Sequence, residues 1–176
     1  NGDIKIGVLA GGASNIKTEM PIKRWPVENY AELSRKIVAD GYKVILLGAE
    51  SDKFNSEIIL RNIINGVIDL TGRTTLEETA AVMKRCKVIV THDSGPMHLA
   101  SAVGRPVVSI FGPTDPREYY PLSSDSHYFW NVGNIECAPC YEDGRFPDCN
   151  DPICMKAVTV EQVYEKVKDI ISARGR

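Results

Sequence analysis

Lys87-Val88-Ile89-Val90-Thr91-His92-Asp93-Ser94-Gly95-Pro96-Met97-His98-Leu99-Ala100 is the stretch that decides the fold. Val88 to Thr91 are all β-branched, with no alternation of apolar and polar side chains. That is the pattern of a strand, Lys87 to Thr91, buried on both faces. Pro96 then stands where a first helical turn tolerates it, so a short helix is expected from Pro96 to Val103. Between the two lie Asp93, Ser94 and Gly95. Gly95 lets a ligand approach the backbone, and the amides of Ser94 and Gly95 point with the helix dipole toward an anion. His98, near the first turn, can donate to the same anion. The same residues also suit a capped helix with a half-buried histidine.

Working outward, the alternation of strand and helix repeats. Lys5 to Leu9, Lys43 to Leu47, Val67 to Leu70 and Pro106 to Phe111 read as further strands, and His127 to Val132 as a last one. Val27, Tyr30, Ala31, Ile37 and Val38 recur at helical spacing, with Pro26 at the start and Gly41 at the end. Helices are also expected over Lys53 to Ile64 and over Leu76 to Cys86, the latter with Thr75 as N-cap. Val160, Val163, Tyr164, Val167, Ile170 and Ile171 mark a closing helix over 159–173. Doubly buried strands require helices on both sides of a parallel sheet. The expectation is therefore a single α/β domain, 1–176, with a doubly wound, Rossmann-like sheet of five or six strands. In such sheets the ligand lies beyond the carboxyl ends of the strands. The loops after Leu9, Leu47, Leu70, Thr91 and Phe111 are the ones that matter.

The chain of 176 residues is long enough for one real core, and its 43% hydrophobic and 25% charged residues exclude a disordered chain, a collagen-like repeat and a coiled coil. With 23 acidic and 21 basic residues, the net charge of -2 gives no electrostatic reason to expect nucleic acid as a partner. Apolar runs are too short for a transmembrane segment. Asn1 to Ile6 lacks the pattern of a signal peptide and runs almost directly into a strand, as a chain cut from something longer would, or one with a short native start.

Each strand-end loop offers chemistry. The first holds Gly11, Gly12, Ser14, Lys17, Lys23 and Arg24. It is not the G-x-G-x-x-G of dinucleotide enzymes, but glycines, a hydroxyl and cations suit a phosphate; a solvated surface loop is the other reading. Glu50 and Asp52, in the second loop, suit either the hydroxyls of a ribose or the cap of the following helix. Phe111-Gly112-Pro113-Thr114-Asp115-Pro116 makes a rigid turn that projects Thr114 and Asp115 toward the same sheet end.

Four stretches in this order, K-R-W-P (Lys23 to Pro26), L-T-G-R-T-T-L (Leu70 to Leu76), D-S-G-P-M-H (Asp93 to His98) and F-G-P-T-D-P (Phe111 to Pro116), resemble glycosyltransferase family 9, the ADP-heptose:lipopolysaccharide heptosyltransferases and their relatives. The resemblance covers essentially the whole chain and implies the C-terminal, donor-binding half of a two-domain GT-B enzyme, without the N-terminal acceptor domain. Carried over residue by residue, it implies that Lys23 contacts the donor diphosphate with Ser14 beside it. It places Asp52 at the adenosine ribose, Thr74 along the adenine and Asp93 on sugar hydroxyls. Ser94, Gly95 and His98 meet the phosphates, and Thr114 belongs to the same donor set. The stretch from Ala13 to Ile22 is longer than in several heptosyltransferases, a departure that bears on Ser14 more than on Lys23.

The resemblance further implies an inverting displacement in which Lys23, His98 and helix-end amides stabilise the leaving nucleotide in place of a metal, so no cofactor is required for catalysis. No catalytic base lies in this chain; an aspartate of the other domain supplies it. The implied partners are an ADP-heptose-like donor and a lipopolysaccharide core or glycolipid acceptor. The implied location is the cytoplasm, peripheral at the inner face of the cytoplasmic membrane in the full-length protein. A GT-B nucleotide-sugar epimerase and a non-catalytic nucleotide-binding module are the alternative readings. Finally, Cys137, Cys140, Cys149 and Cys154 form C-x2-C-x8-C-x4-C in the loop 137–154. This spacing suits a structural zinc, with reduced thiols or disulfides as the other states.

Overall fold

The computed structural model describes residues 4–12, 14–15, 18–61, 63–120, 125–142 and 145–173, with the backbone alone at 14–15 and 18–19. Six parallel strands form one sheet: β1 (Lys5–Val8), β4 (Lys43–Leu46), β5 (Val67–Asp69), β6 (Val88–His92), β7 (Val107–Ile110) and β8 (His127–Phe129). Ser14–Asn15 (β2) and Thr18–Glu19 (β3) pair separately as a short antiparallel hairpin inside the loop after β1. The sheet order is β5-β4-β1-β6-β7-β8. The chain thus builds outward from β1 in one direction, then returns to β6 and builds in the other. The switch point lies between β1 and β6, where an open α/β sheet leaves a crevice at its carboxyl edge.

Both faces of the sheet are buried, as the unalternating strands predicted. Ile6, Val8, Val44, Leu46, Val88, Val90, Val108 and Ile110 pack in one layer with α1 (Val27–Ala39), α2 (Lys53–Leu60) and α7 (Val160–Ala173). Leu9, Ile45, Ile89 and Val107 face the other layer, formed by α3 (Leu76–Lys84) and α4 (Gly95–Ala102). The helices of this chain therefore cover its own sheet. Thr75 caps α3 through a reciprocal pair with Glu78: the Glu78 amide donates to Thr75 Oγ1, and the Thr75 amide donates to the Glu78 carboxylate.

The differences from the sequence reading lie at element ends. Helix α2 stops at Leu60 instead of Ile64, whose side chain is 96% exposed and so gains nothing by packing that would extend the helix. Strand β8 ends at Phe129. Two short helices, α5 (Pro116–Tyr119) and α6 (Ile153–Lys156), lie in the region whose periodicity was too weak to read.

The zinc reading of the loop concerns Cys137, Cys140, Cys149 and Cys154. Among the described residues no three His, Cys, Asp or Glu side chains gather to hold a metal ion. Cys137 and Cys149 are exposed, whereas Cys154 is buried on α6. A Cβ at Gly112 would lie 2.9 Å from the Cys154 sulfur, so this thiol packs against the turn after β7, with Cys140 and Cys137 near enough to act on it electrostatically. Burial pushes it up to about 11. All five cysteines are free thiols.

Candidate functional site

Five strand-end loops, those after β1, β4, β5, β6 and β7, supply the residues of the site. Asp52 stitches two of them together. Its carboxylate accepts the Ala49 amide at 2.8 Å and the Gly12 amide at 3.2 Å, and it is 7% exposed. The cap reading of Asp52 describes the first of these bonds; the second reaches across 40 residues to the loop after β1. Gly11 permits the approach: a Cβ there would lie 2.0 Å from the Asp52 carboxyl carbon. Gly11→Ala should displace Asp52 and break both charge-assisted bonds, at a cost of about 3 kcal/mol in denaturant unfolding. Wild-type stability in that variant would mean that the loops do not depend on Asp52.

Arg24 closes the loop from the other side, its Nε donating to the Gly12 carbonyl at 3.0 Å. Lys23, in a single 3-10 turn (Pro21–Lys23) ahead of α1, reaches across to Asp93, with Nζ 2.7 Å from Oδ2. Thr114 Oγ1 donates to the same Oδ2 at 2.7 Å. All three side chains are largely withdrawn from water: Asp93 is 4% and Thr114 2% exposed, and the Lys23 side chain 13%. Thr114, singled out for the donor set, donates its hydroxyl to Asp93 and so orients that carboxylate, on a turn that Pro113 and Gly112 fix. The amides of Cys140 and Tyr141 both donate to the Pro113 carbonyl, and Trp130 Nε1 donates to that of Gly112.

Beside this ion pair lies a cavity of about 700 Å³. Asp52, Thr74, Gly95 and His98 line it, so the structure brings together four of the residues singled out in the sequence. Gly12 joins the cavity to the ion-pair cluster: it lines the cavity, and a Cβ there would stand 3.6 Å from Ser94 Cβ. Ser94 turns its hydroxyl inward onto the His92 carbonyl at 3.1 Å and contributes to the site through its backbone. It is the N-cap of α4; Pro96 has no N–H and the Met97 amide donates to the Ser94 carbonyl, so the amides of Ser94 and Gly95 are the ones left open at this helix end. The Ser14 side chain lies outside the described residues, as does Lys17.

The sequence reading missed the apolar half of the cavity, Leu76, Leu99 and Ala102, together with Thr79, whose hydroxyl lies 2.8 Å from that of Thr74. Leu76 is 68% exposed at the first position of α3. An apolar residue on the outward end of a helix directly after a strand-end loop was the available signal. The arrangement can hold a flat, mostly apolar group in the cavity and an anion at its rim. The N-terminus of α4 and His98 line that rim, and Asp93, which holds Lys23, directly precedes the N-cap Ser94.

The comparisons agree with this geometry. The family model described as glycosyltransferase family 9 (heptosyltransferase) matches residues 12–149. Lipopolysaccharide heptosyltransferase 2 of Salmonella typhimurium is 40% identical over 107 residues, 58% of this chain and 31% of that protein. The structure of Escherichia coli ADP-heptose lipopolysaccharide heptosyltransferase II superposes with a TM-score of 0.80 at 26% identity, over 99% of this chain and 48% of that one. Escherichia coli heptosyltransferase WaaC, solved with ADP, shares the fold with a TM-score of 0.71 at 22% identity, over 96% of this chain and 44% of that one. The chain thus spans about half the length of the heptosyltransferases it superposes on. With more than half of its residues inside the family model and a doubly wound sheet that matches half of a GT-B heptosyltransferase, the chain belongs to glycosyltransferase family 9.

Proposed function

We propose that this chain binds the nucleotide-sugar donor, ADP-heptose or a close relative, for an inverting glycosyltransferase of lipopolysaccharide core or surface-glycan synthesis. The observation that carries the reading is the Lys23–Asp93 ion pair directly before the N-cap of α4, the helix whose first turn lines a largely apolar cavity. Heptosyltransferase relatives support the sugar; the epimerase and non-catalytic readings have no such support.

The base enters the cavity along Thr74, Leu76 and Leu99, and the ribose meets the lone pairs that Asp52 keeps beyond its two amide bonds. The diphosphate lies across the first-turn amides at Ser94 and Gly95, within reach of His98. Lys23 turns from Asp93 to the phosphate oxygens, and Asp93 then accepts from sugar hydroxyls. In the reaction an acceptor hydroxyl forms the new bond to the anomeric carbon while the bond to the diphosphate oxygen breaks. The hydroxyl proton passes to a base outside these 176 residues. Charge grows on the departing ADP, and Lys23, His98 and the helix-end amides are already aimed at it, which lowers the barrier without reorganisation. The acceptor is a lipopolysaccharide core or glycolipid bound by the remainder of the enzyme. The reaction takes place in the cytoplasm, at the inner face of the cytoplasmic membrane. Among the described residues no helix is long and apolar enough to cross a membrane.

The test is a calorimetric titration of the chain with ADP-heptose, a UDP-sugar and ADP. Binding of the two adenine ligands with no saturable heat from the UDP-sugar is expected. A UDP-sugar preference, or no nucleotide binding, would overturn the reading.

A further inference from the structure

Beneath the Lys23–Asp93 contact lies a polar pair that donor binding does not use directly. Tyr30 and His92 are fully buried, and Tyr30 Oη lies 3.1 Å from His92 Nδ1. Burial pushes the imidazole down to about 3, with Arg24 and Lys23 adding to the effect, so the ring is neutral. Burial alone pushes the Tyr30 phenol well above its ordinary range. His92 Nε2 has no hydrogen-bond partner among the described residues, so Nδ1 alone holds the ring. A sealed polar pair with one orphaned nitrogen costs stability that an aliphatic side chain at this place would not.

The pair joins the two segments that carry the charges of the site. His92 ends β6, and Asp93 follows it directly. Tyr30 lies near the start of α1, where Trp25 packs edge-on against it with ring centroids 4.9 Å apart. Trp25 Nε1 donates to the Val158 carbonyl at 3.0 Å, and Arg24 Nε to that of Gly12. The stretch from Lys23 to Tyr30 is therefore pinned to Gly12, to Val158 and, through Tyr30, to the end of the strand that presents Asp93. The first two anchors fix Arg24 and Trp25; the third sets how α1 sits against β6.

We infer that Tyr30 and His92 are positioning residues for the donor diphosphate: their hydrogen bond registers α1 against the end of β6 and so places the Lys23 ammonium where the phosphates arrive. Neither touches the ligand. The inference rests on the donor-site reading above.

A double-mutant cycle tests it. ADP is titrated into the wild-type chain, Tyr30→Phe, His92→Asn, Lys23→Ala and the Tyr30→Phe/Lys23→Ala double variant, and the melting temperature of each is recorded. Tyr30→Phe should weaken ADP about fivefold in the wild-type background and less than about twofold once Lys23 is gone, because the cation it places is absent. His92→Asn keeps a polar atom at the position of Nδ1, so it should bind ADP within about twofold of wild type. Equal losses from Tyr30→Phe in both backgrounds, or unchanged affinity with a lowered melting temperature, would make the pair a core contact only and overturn the inference. Failure of the wild-type chain to bind ADP, or wild-type affinity in Lys23→Ala, would instead overturn the donor-site reading and this inference with it.

Discussion

Lys23→Ala lowers the affinity for ADP about ten- to hundredfold, the effect of losing one charge-assisted contact to a diphosphate, about 1.5–3 kcal/mol. Among the described residues no other cation pairs with Asp93: Arg24 is committed to the Gly12 carbonyl. The same substitution also destabilises the free protein. Asp93, 4% exposed, is left with the Thr114 hydroxyl as its side-chain partner among the described residues, and a buried carboxylate that loses its counter-ion costs more than the ion pair gained. Because Thr114 stays, a loss of about 2 kcal/mol is expected, less than for a wholly unpaired charge. Calorimetry reads the first effect and thermal unfolding the second. Unchanged ADP affinity would remove Lys23 from the site.

Asp93→Asn works in the opposite direction on plain ADP. In the free protein the carboxylate holds Lys23 at 2.7 Å, an attraction of several kcal/mol even at an effective dielectric of about 20. Lys23 must relinquish part of it to reach a phosphate. The amide keeps the shape and can still accept from Thr114, but it releases the ammonium. ADP should therefore bind about threefold more tightly or better, whereas the advantage of ADP-heptose over ADP should fall about tenfold, since the sugar hydroxyls lose a charged acceptor. Parallel titrations of the two ligands separate these effects. Equal weakening of both would show that Asp93 serves the phosphate side and not the sugar.

How much of this was legible beforehand follows from which physics is local. Val88 to Thr91 announce a doubly buried strand because burial on two faces leaves no polar alternation, and the helices on both faces follow from it. Asp93, Gly95 and His98 stood out because a strand-end turn entering a helix is where backbone amides are open. The long-range partners were not legible. That Asp52 spans two loops, that Thr114 turns inward to Asp93, and that Tyr30 meets His92 across 62 residues all depend on register between distant segments. Position along the chain cannot supply that. The cysteines illustrate the same limit: their spacing along the chain does not tell that Cys154 packs against Gly112 on α6 while Cys137 and Cys149 stay exposed. Leu76 and Leu99 were read as helix residues because an apolar side chain carries no mark of the cavity it lines.

The central claim is that the crevice at the carboxyl ends of β1, β4 and β6 holds the donor nucleotide. An amide-resolved NMR titration of the chain with ADP addresses it directly, because each strand-end loop reports separately. Saturable shifts are expected at Gly12, Ala49, Gly95 and Leu99, with one shared affinity, while the amides of α7 from Val160 to Ala173 stay in place. Saturable shifts confined to other surfaces, or none at millimolar ADP, would contradict the account.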